Sequence, residues 1–371
     1  MKTKVLIDSL SLLSPLTGIG RYTYEISKRL QTEDDLEINF FYGYYSPKLL
    51  EPSLKSGIKS LRSLLIQNQY VKKVVRKILF TSSRLFAPSY DIYWQPNFIP
   101  NKNIKSKKII TAVHDFSFIL YKDFHPKERI EYLEKNFYSN ITRSDIIITG
   151  SQFTKQEIID RLHIKANKIR VIYHGIDHSL FRVHDNLKLD YILPKKFIFS
   201  VGSIEPRKNL IGLLKAYQLL DENLKKEYKL VLAGFKGWQN KEIMEIINNN
   251  KDTIHYLGHI SDKELAKTYN LASIFVYPSF YEGFGIPPLE AMACGTPVIA
   301  SNRSSIPEVC GDAILYVDPD DTSDITNKIK TLIADENLQK VLVDKGLKKA
   351  KEYSWDKSTQ AHLKIIKELF S

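Results

Sequence analysis

The chain has 371 residues, of which 43% are hydrophobic and 26% charged, and a formal net charge of +12. That length exceeds what one hydrophobic core usually serves, so two domains are expected, with the composition of a soluble globular protein. The two cysteines, Cys294 and Cys310, have no metal-type spacing, which argues against a zinc site or a disulfide framework.

The N-terminal "MKTKVLIDSL" has too short an apolar run for a signal peptide. No run of about 18 uninterrupted apolar residues follows, so no membrane span is expected and a cytoplasmic location is. The charge is uneven. Residues 1–180 carry 28 Lys/Arg against 17 Asp/Glu, or +11, whereas residues 181–371 carry 26 against 25, or +1. A basic first half calls for an anionic partner: nucleic acid, a membrane surface or a phosphorylated substrate.

In chain order, strands are predicted at 4–8, 37–44, 91–95, 108–115, 145–151 and 169–175. A second series follows at 197–203, 229–235, 254–260, 273–279, 297–301 and 313–319. Most are continuous apolar runs, as parallel strands covered on both faces require. Helical patterns lie between them, some with capping signals at Thr154…Glu157 and Ser261…Glu264. Strand, helix, strand, in two series, predicts two doubly wound α/β domains. The break falls at the polar stretch 184–196, giving domains 1–185 and 186–353, and 354–371 is expected as a closing helix that crosses back to the first domain.

Ligands in such domains bind beyond the carboxyl ends of the strands, so the chemistry is sought there. After the first strand, Gly18 and Gly20 in "TGIGRYTYEI" precede a helical pattern and would let backbone amides approach an anion. A flexible turn explains them equally well, and the third glycine of a dinucleotide fingerprint is missing. Residues 56–85 contain no acid. Their apolar residues follow helical spacing, while Lys72, Lys73, Arg76 and Lys77 fill the other face. Such a helix suits an anionic membrane surface and a lipid-linked acceptor; a core helix with a solvated basic face is the alternative.

After the strand at 197–203, Gly202 permits close backbone approach, and Arg207 and Lys208 open the next helix. Cations there oppose the helix macrodipole unless an anion binds, and two of them suit a diphosphate; ordinary surface cations on a helix are the alternative. The stretch "YPSFYEGFGIPPLEAMACGTPVIASN" (277–302) carries two acids, Glu282 and Glu290, in an otherwise uncharged run. Glu282 falls in a turn-rich loop and Glu290 in the first turn of a helix. As acceptors for paired hydroxyls, they suit a ligand with a polyol at each end, such as a nucleotide sugar; a helix-cap acid at Glu290 and a solvated loop acid at Glu282 are the alternative.

Together "VGSIEPRKNL", the Glu-x7-Glu pattern "EGFGIPPLE" and "EAMACGTPVIASNRSSIPEVCGDAILYVDP" resemble glycosyltransferase family 4 over almost the whole chain. That resemblance implies the GT-B fold, two Rossmann-like domains facing a central cleft. The first would bind the acceptor and the second the nucleotide sugar. It further implies that Arg207 and Lys208 bind the donor diphosphate, that Glu282 holds hydroxyls of the donor sugar with help from amides of Gly283, Phe284 and Gly285, and that Glu290 holds the ribose. Gly18 would let the N-terminal loop approach the phosphate. His114, in "TAVHD", matches a family histidine at the donor sugar, against the alternative of a satisfied core histidine.

The implied reaction is retaining transfer without a metal or other cofactor, since no Asp-x-Asp stands near the phosphate elements. "GIGRY" with "SNRSSIPEVCGDA" is most similar to bacterial mannosyltransferases of surface-polysaccharide assembly, which implies GDP-mannose as donor and a glycan or lipid-linked acceptor. UDP-glucose, UDP-N-acetylglucosamine and GDP-fucose are the alternative donors. A nucleotide-sugar epimerase would need additional acid and base residues at the cleft. A glycan phosphorylase would need a longer chain with a pyridoxal-binding lysine. A nucleic-acid binder is disfavoured because no such motif occurs and no aromatics interleave the basic run.

Overall fold

The computed structural model describes residues 2–13, 18–51, 88–185, 191–235, 237 and 240–370. The first sheet contains β1 (Thr3–Asp8), β2 (Leu36–Phe41), β3 (Tyr45–Ser46), β4 (Tyr90–Gln95), β5 (Ser106–Ala112), β6 (Ile146–Thr149) and β7 (Ile169–Val171). Their order is β3-β2-β1-β4-β5-β6-β7. All neighbours are parallel except the β2–β3 pair. The run expected to be one strand over 37–44 is divided here: β2 stops at Phe41, and Gly43, at φ 88°, turns the chain back into the short edge strand β3.

The second sheet contains β8 (Phe197–Val201), β9 (Lys229–Ala233), β10 (Ile254–Tyr256), β11 (Ile274–Tyr277), β12 (Val298–Ser301) and β13 (Leu315–Val317). It runs β10-β9-β8-β11-β12-β13, with every neighbouring pair parallel. Successive side chains of one strand enter opposite cores, because strand side chains alternate in direction. Phe197, Phe199, Phe275 and Tyr277 pack on one face, and Ile198, Ile274 and Val276 on the other. That double burial is why these strands read as unbroken apolar runs.

In each sheet the strand order reverses once, between β1 and β4 in the first and between β8 and β11 in the second. The crevice beyond such a reversal is where open α/β sheets bind ligands. The closing helix Trp355–Glu368 packs with the first sheet, its Trp355, Leu363 and Ile366 sharing a core with Val5, Ile7 and Trp94. The Tyr22 hydroxyl and His362 Nε2, 2.6 Å apart, tie it to the helix Gly18–Leu30. Among the described residues no helix is long and apolar enough to cross a membrane.

Of the two capping signals, Ser261 and Glu264 form a reciprocal capping box on Asp262–Leu271. The other is corrected. Ser151 caps the helix Gln152–Leu162 by accepting from Thr154 N, so Thr154 lies inside the helix. Glu157 is left to accept a hydrogen bond from the Tyr281 hydroxyl.

Candidate active site

The second sheet's reversal point brings four charged side chains together. Gly202 leaves β8, and Pro206–Lys208 form one turn of 3-10 helix rather than the start of the following helix. Asn209, at φ 53°, breaks the two apart and caps Leu210–Gln218 with its side chain. Arg207 and Lys208 therefore precede the helix instead of occupying its first turn. What holds them is carboxylate. Arg207 donates to Glu282 Oε2 at 2.9 Å, to Glu205 Oε1 at 2.9 Å and to the Tyr281 carbonyl at 2.7 Å. Lys208 Nζ donates to Glu282 Oε1 at 2.7 Å and to the Tyr277 hydroxyl at 2.6 Å, which itself donates to Glu282 Oε1 at 2.9 Å.

Burial pushes the Glu282 carboxyl up, but Arg207 and Lys208 outweigh it and hold the group at about 2. Burial, and then the neighbouring Arg207, lower Lys208 despite Glu282. Burial would lower Arg207 too, but Glu282 and Glu205 raise it above its ordinary value. A carboxylate offers about four lone-pair sites. Three of those on Glu282 are taken, leaving one for a ligand hydroxyl.

The loop carrying Glu282 is fixed by hydroxyls: Ser304 Oγ accepts from Glu282 N, and Ser305 Oγ donates to the carbonyls of Glu282 and Phe284. Gly283 is where the two sheets' loops touch. A Cβ there would run into the His114 carbonyl oxygen, and Ser151 Oγ donates to the Gly283 carbonyl at 2.9 Å. Gly285, at φ 106°, starts the helix Ile286–Ala293. His114 follows β5, and its Nε2 donates to the Pro96 carbonyl at 2.7 Å while its ring lies against Tyr22, Phe98 and His174. Burial lowers its pKa below the ordinary value. It is thus both a packed, hydrogen-bonded histidine and a neighbour of the Glu282 loop.

Glu290 is the fifth residue of Ile286–Ala293, one turn deeper than the sequence indicated. It is buried, and its partner comes from the other sheet's side of the cleft: Arg21 donates to Glu290 Oε1 at 3.0 Å and to Asp262 Oδ1 at 2.5 Å. Tyr269 donates to Oε2 at 3.3 Å. Gly18 and Gly20, expected before a helix, form the first turn of Gly18–Leu30 itself. Among the described residues, a Cβ on Gly18 would meet nothing within 4 Å.

At the first sheet's reversal point lies a cavity of about 580 Å³, lined by Asp8, Gln95, Asn97, Asn101, Arg129, Tyr132 and Asn136 among others. It adjoins the cluster through Phe98, which touches His114, and through His125, which lies near enough to Arg129, Asp115, Arg207 and Glu205 for their charges to act on it. Lys72, Lys73, Arg76 and Lys77 lie outside the described residues. Sequence reasoning did not single out Arg21, Glu205, Tyr277 or Arg129. The first three sit inside stretches already quoted, but their pairings span 2 to 269 positions and no local pattern encodes the long ones.

Two doubly wound sheets whose carboxyl ends meet across a cleft, with paired cations and two buried glutamates on one wall, make up the GT-B architecture. Solved structures share the whole fold, two of them as follows. One is sucrose-phosphate synthase from Thermosynechococcus elongatus, at TM-score 0.73 and 19% identity, with 100% of this chain and 99% of that one covered. The other is WaaG, a glycosyltransferase involved in lipopolysaccharide biosynthesis, at TM-score 0.71 and 11% identity, with 98% and 99% covered. Residues 16–180 match Glycosyltransferase Family 4, and residues 188–349 match Glycosyl transferases group 1. The chain is 33% identical to O-antigen chain mannosyltransferase B of Escherichia coli, over 99% of this chain and all of that protein. It is 34% identical to the serotype-specific mannosyltransferase WbdA of Escherichia coli, over 72% of this chain but 34% of that longer protein. The chain belongs to glycosyltransferase family 4.

Proposed function

We propose that the protein is a retaining, metal-independent hexosyltransferase that moves mannose from GDP-mannose to a glycan or lipid-linked oligosaccharide in bacterial surface-polysaccharide synthesis. The observation that carries this reading is the pair Arg207 and Lys208, held at a reversal point by Glu282 and Glu205. The full-length likeness to a protein named as an O-antigen chain mannosyltransferase supports mannose as the sugar moved and surface-polysaccharide synthesis as the setting.

As the glycosidic bond breaks, negative charge grows on the diphosphate and positive charge on the sugar ring. Preorganised cations facing the leaving diphosphate lower the barrier because they need no reorganisation in the transition state. In this reading two side-chain cations take the role a divalent ion would otherwise fill. Glu282 keeps both oriented and uses its remaining lone pair for a sugar hydroxyl, with amides of Gly283, Phe284 and Gly285 beside it. Glu290 takes the ribose diol, and His114 lines the sugar's place. The amide-rich cavity of the first unit suits a hydroxyl-rich acceptor, since amides both donate and accept. The basic run around Lys72, Lys73, Arg76 and Lys77 would meet an anionic membrane surface, with each cation contributing about 1 kcal/mol.

The test is turnover with a panel of nucleotide sugars in the presence and absence of EDTA. GDP-mannose should be consumed fastest and chelation should have no effect. Preference for UDP-glucose, UDP-N-acetylglucosamine or GDP-fucose rejects the donor, and a loss restored by added metal rejects metal independence. Charge reversal of the four basic residues to Glu should abolish sedimentation with anionic vesicles; unchanged sedimentation rejects the membrane contact.

A further inference from the structure

Arg21 stands on the helix Gly18–Leu30 of the first unit, yet its guanidinium spends its donors on the second, on Glu290 and Asp262. Its side chain is 20% exposed and that of Glu290 only 6%. A buried charge is held in place only when paired and hydrogen-bonded, so this bridge is a specific arrangement rather than a surface pair. We propose that Arg21 is a positioning residue for the nucleotide end of the donor: reaching across the cleft, it orients the Glu290 carboxylate so that ribose recognition needs both units.

The proposal rests on the reading that Glu290 binds the ribose. Arg21 occupies part of Oε1 and Tyr269 part of Oε2, which turns the carboxylate and leaves lone pairs on each oxygen for a diol. The charged and titratable groups facing Glu290 are Arg21, Asp262, Tyr269 and Cys294, with Glu25 acting on Arg21 from its own helix. Burial raises the Glu290 carboxyl to about 7, Arg21 opposes that rise and Asp262 adds to it. Removing Arg21 therefore leaves a carboxyl that stays protonated to higher pH and no longer accepts both hydroxyls. An opposite charge at contact is worth about 1–3 pH units to a carboxylate.

The experiment is calorimetric titration of GDP and of inorganic pyrophosphate into wild type, Arg21→Lys, Arg21→Met and Glu290→Gln between pH 6 and 9. Pyrophosphate carries the diphosphate without the ribose. Arg21→Met should weaken GDP roughly tenfold at pH 7, the loss should shrink as pH rises, and pyrophosphate should bind as in wild type. Arg21→Lys should fall between the two. A loss that is equal at every pH, one that extends to pyrophosphate, or no loss at all overturns the proposal. Glu290→Gln separates it from the reading beneath it. Unchanged GDP affinity in Glu290→Gln rejects ribose binding by Glu290, whereas weakened affinity there with wild-type behaviour in Arg21→Met rejects the role of Arg21 alone.

Discussion

Around Glu282 two cations and two carboxylates nearly cancel, and that balance sets what each substitution should do. Truncating Arg207 or Lys208 to Ala removes a transition-state contact and leaves excess negative charge where a diphosphate must leave. kcat should fall by about 10² to 10³, measured by release of free nucleotide, and wild-type turnover in the double variant would reject the assignment. Glu282→Gln and Glu290→Gln should differ in kind. The first should lower kcat with little change in GDP affinity, because the cations remain; the second should weaken GDP. Equal losses of affinity for both would contradict the separation of sugar and ribose roles. Binding of GDP should also weaken as pH falls through about 7, because Glu290, with its raised pKa, gains a proton on the acid side of that value. Arg207, Lys208 and Glu282 drew attention in the sequence because each stands in the segment after a strand, Glu290 because it is the second acid of an otherwise uncharged run, and His114 only through the family resemblance. Arg21 did not, although it follows a quoted Gly-x-Gly, because its contact with Glu290 exists only once two separate sheets are docked.

At the scale of elements, loop ends from one sheet serve helices and strands of the other. Glu308 accepts from the amides of Gln152 and Phe153 at 2.7 and 2.9 Å, so the helix Gln152–Leu162 of the first unit is capped by a carboxylate of the second. Glu308→Ala should cost about 1 kcal/mol, as loss of a helix cap does, seen as a lowered midpoint in thermal unfolding. An unchanged midpoint would show that the cap contributes nothing in solution. Gly283→Ala should be harsher, since the added methyl meets backbone that cannot swing aside. kcat/KM should drop sharply even where the protein remains folded, and an unaffected variant would reject close docking of this loop on His114. All twelve predicted strands exist. What the sequence hid were chain reversals decided by single backbone angles. Gly43 splits off β3, and Asn209 separates the Arg207–Lys208 turn from its helix. Ser151 caps three residues before the motif-matched Thr154, because it alone has the extended geometry a cap needs.

The molecule as a whole is two similar sheets joined so that their reversal points face each other, one holding the charged cluster and the other the amide-lined cavity. The two-sheet plan was readable because each parallel strand, buried on both faces, leaves an unmistakable apolar run. The facing came only with the family resemblance, since the contacts that make it, at Gly283, Ser151, Glu308 and Arg21, join residues far apart in the chain. In the proposed reaction this facing pair moves a mannosyl group from GDP-mannose to a glycan with the sugar's configuration kept. The direct measurement is nuclear magnetic resonance of the purified product made from GDP-mannose and a glycan acceptor. The product should carry one new mannosyl residue with the donor's anomeric configuration, formed together with one GDP. A product of the opposite configuration, or GDP-mannose left intact while another nucleotide sugar is transferred, would contradict the proposed reaction.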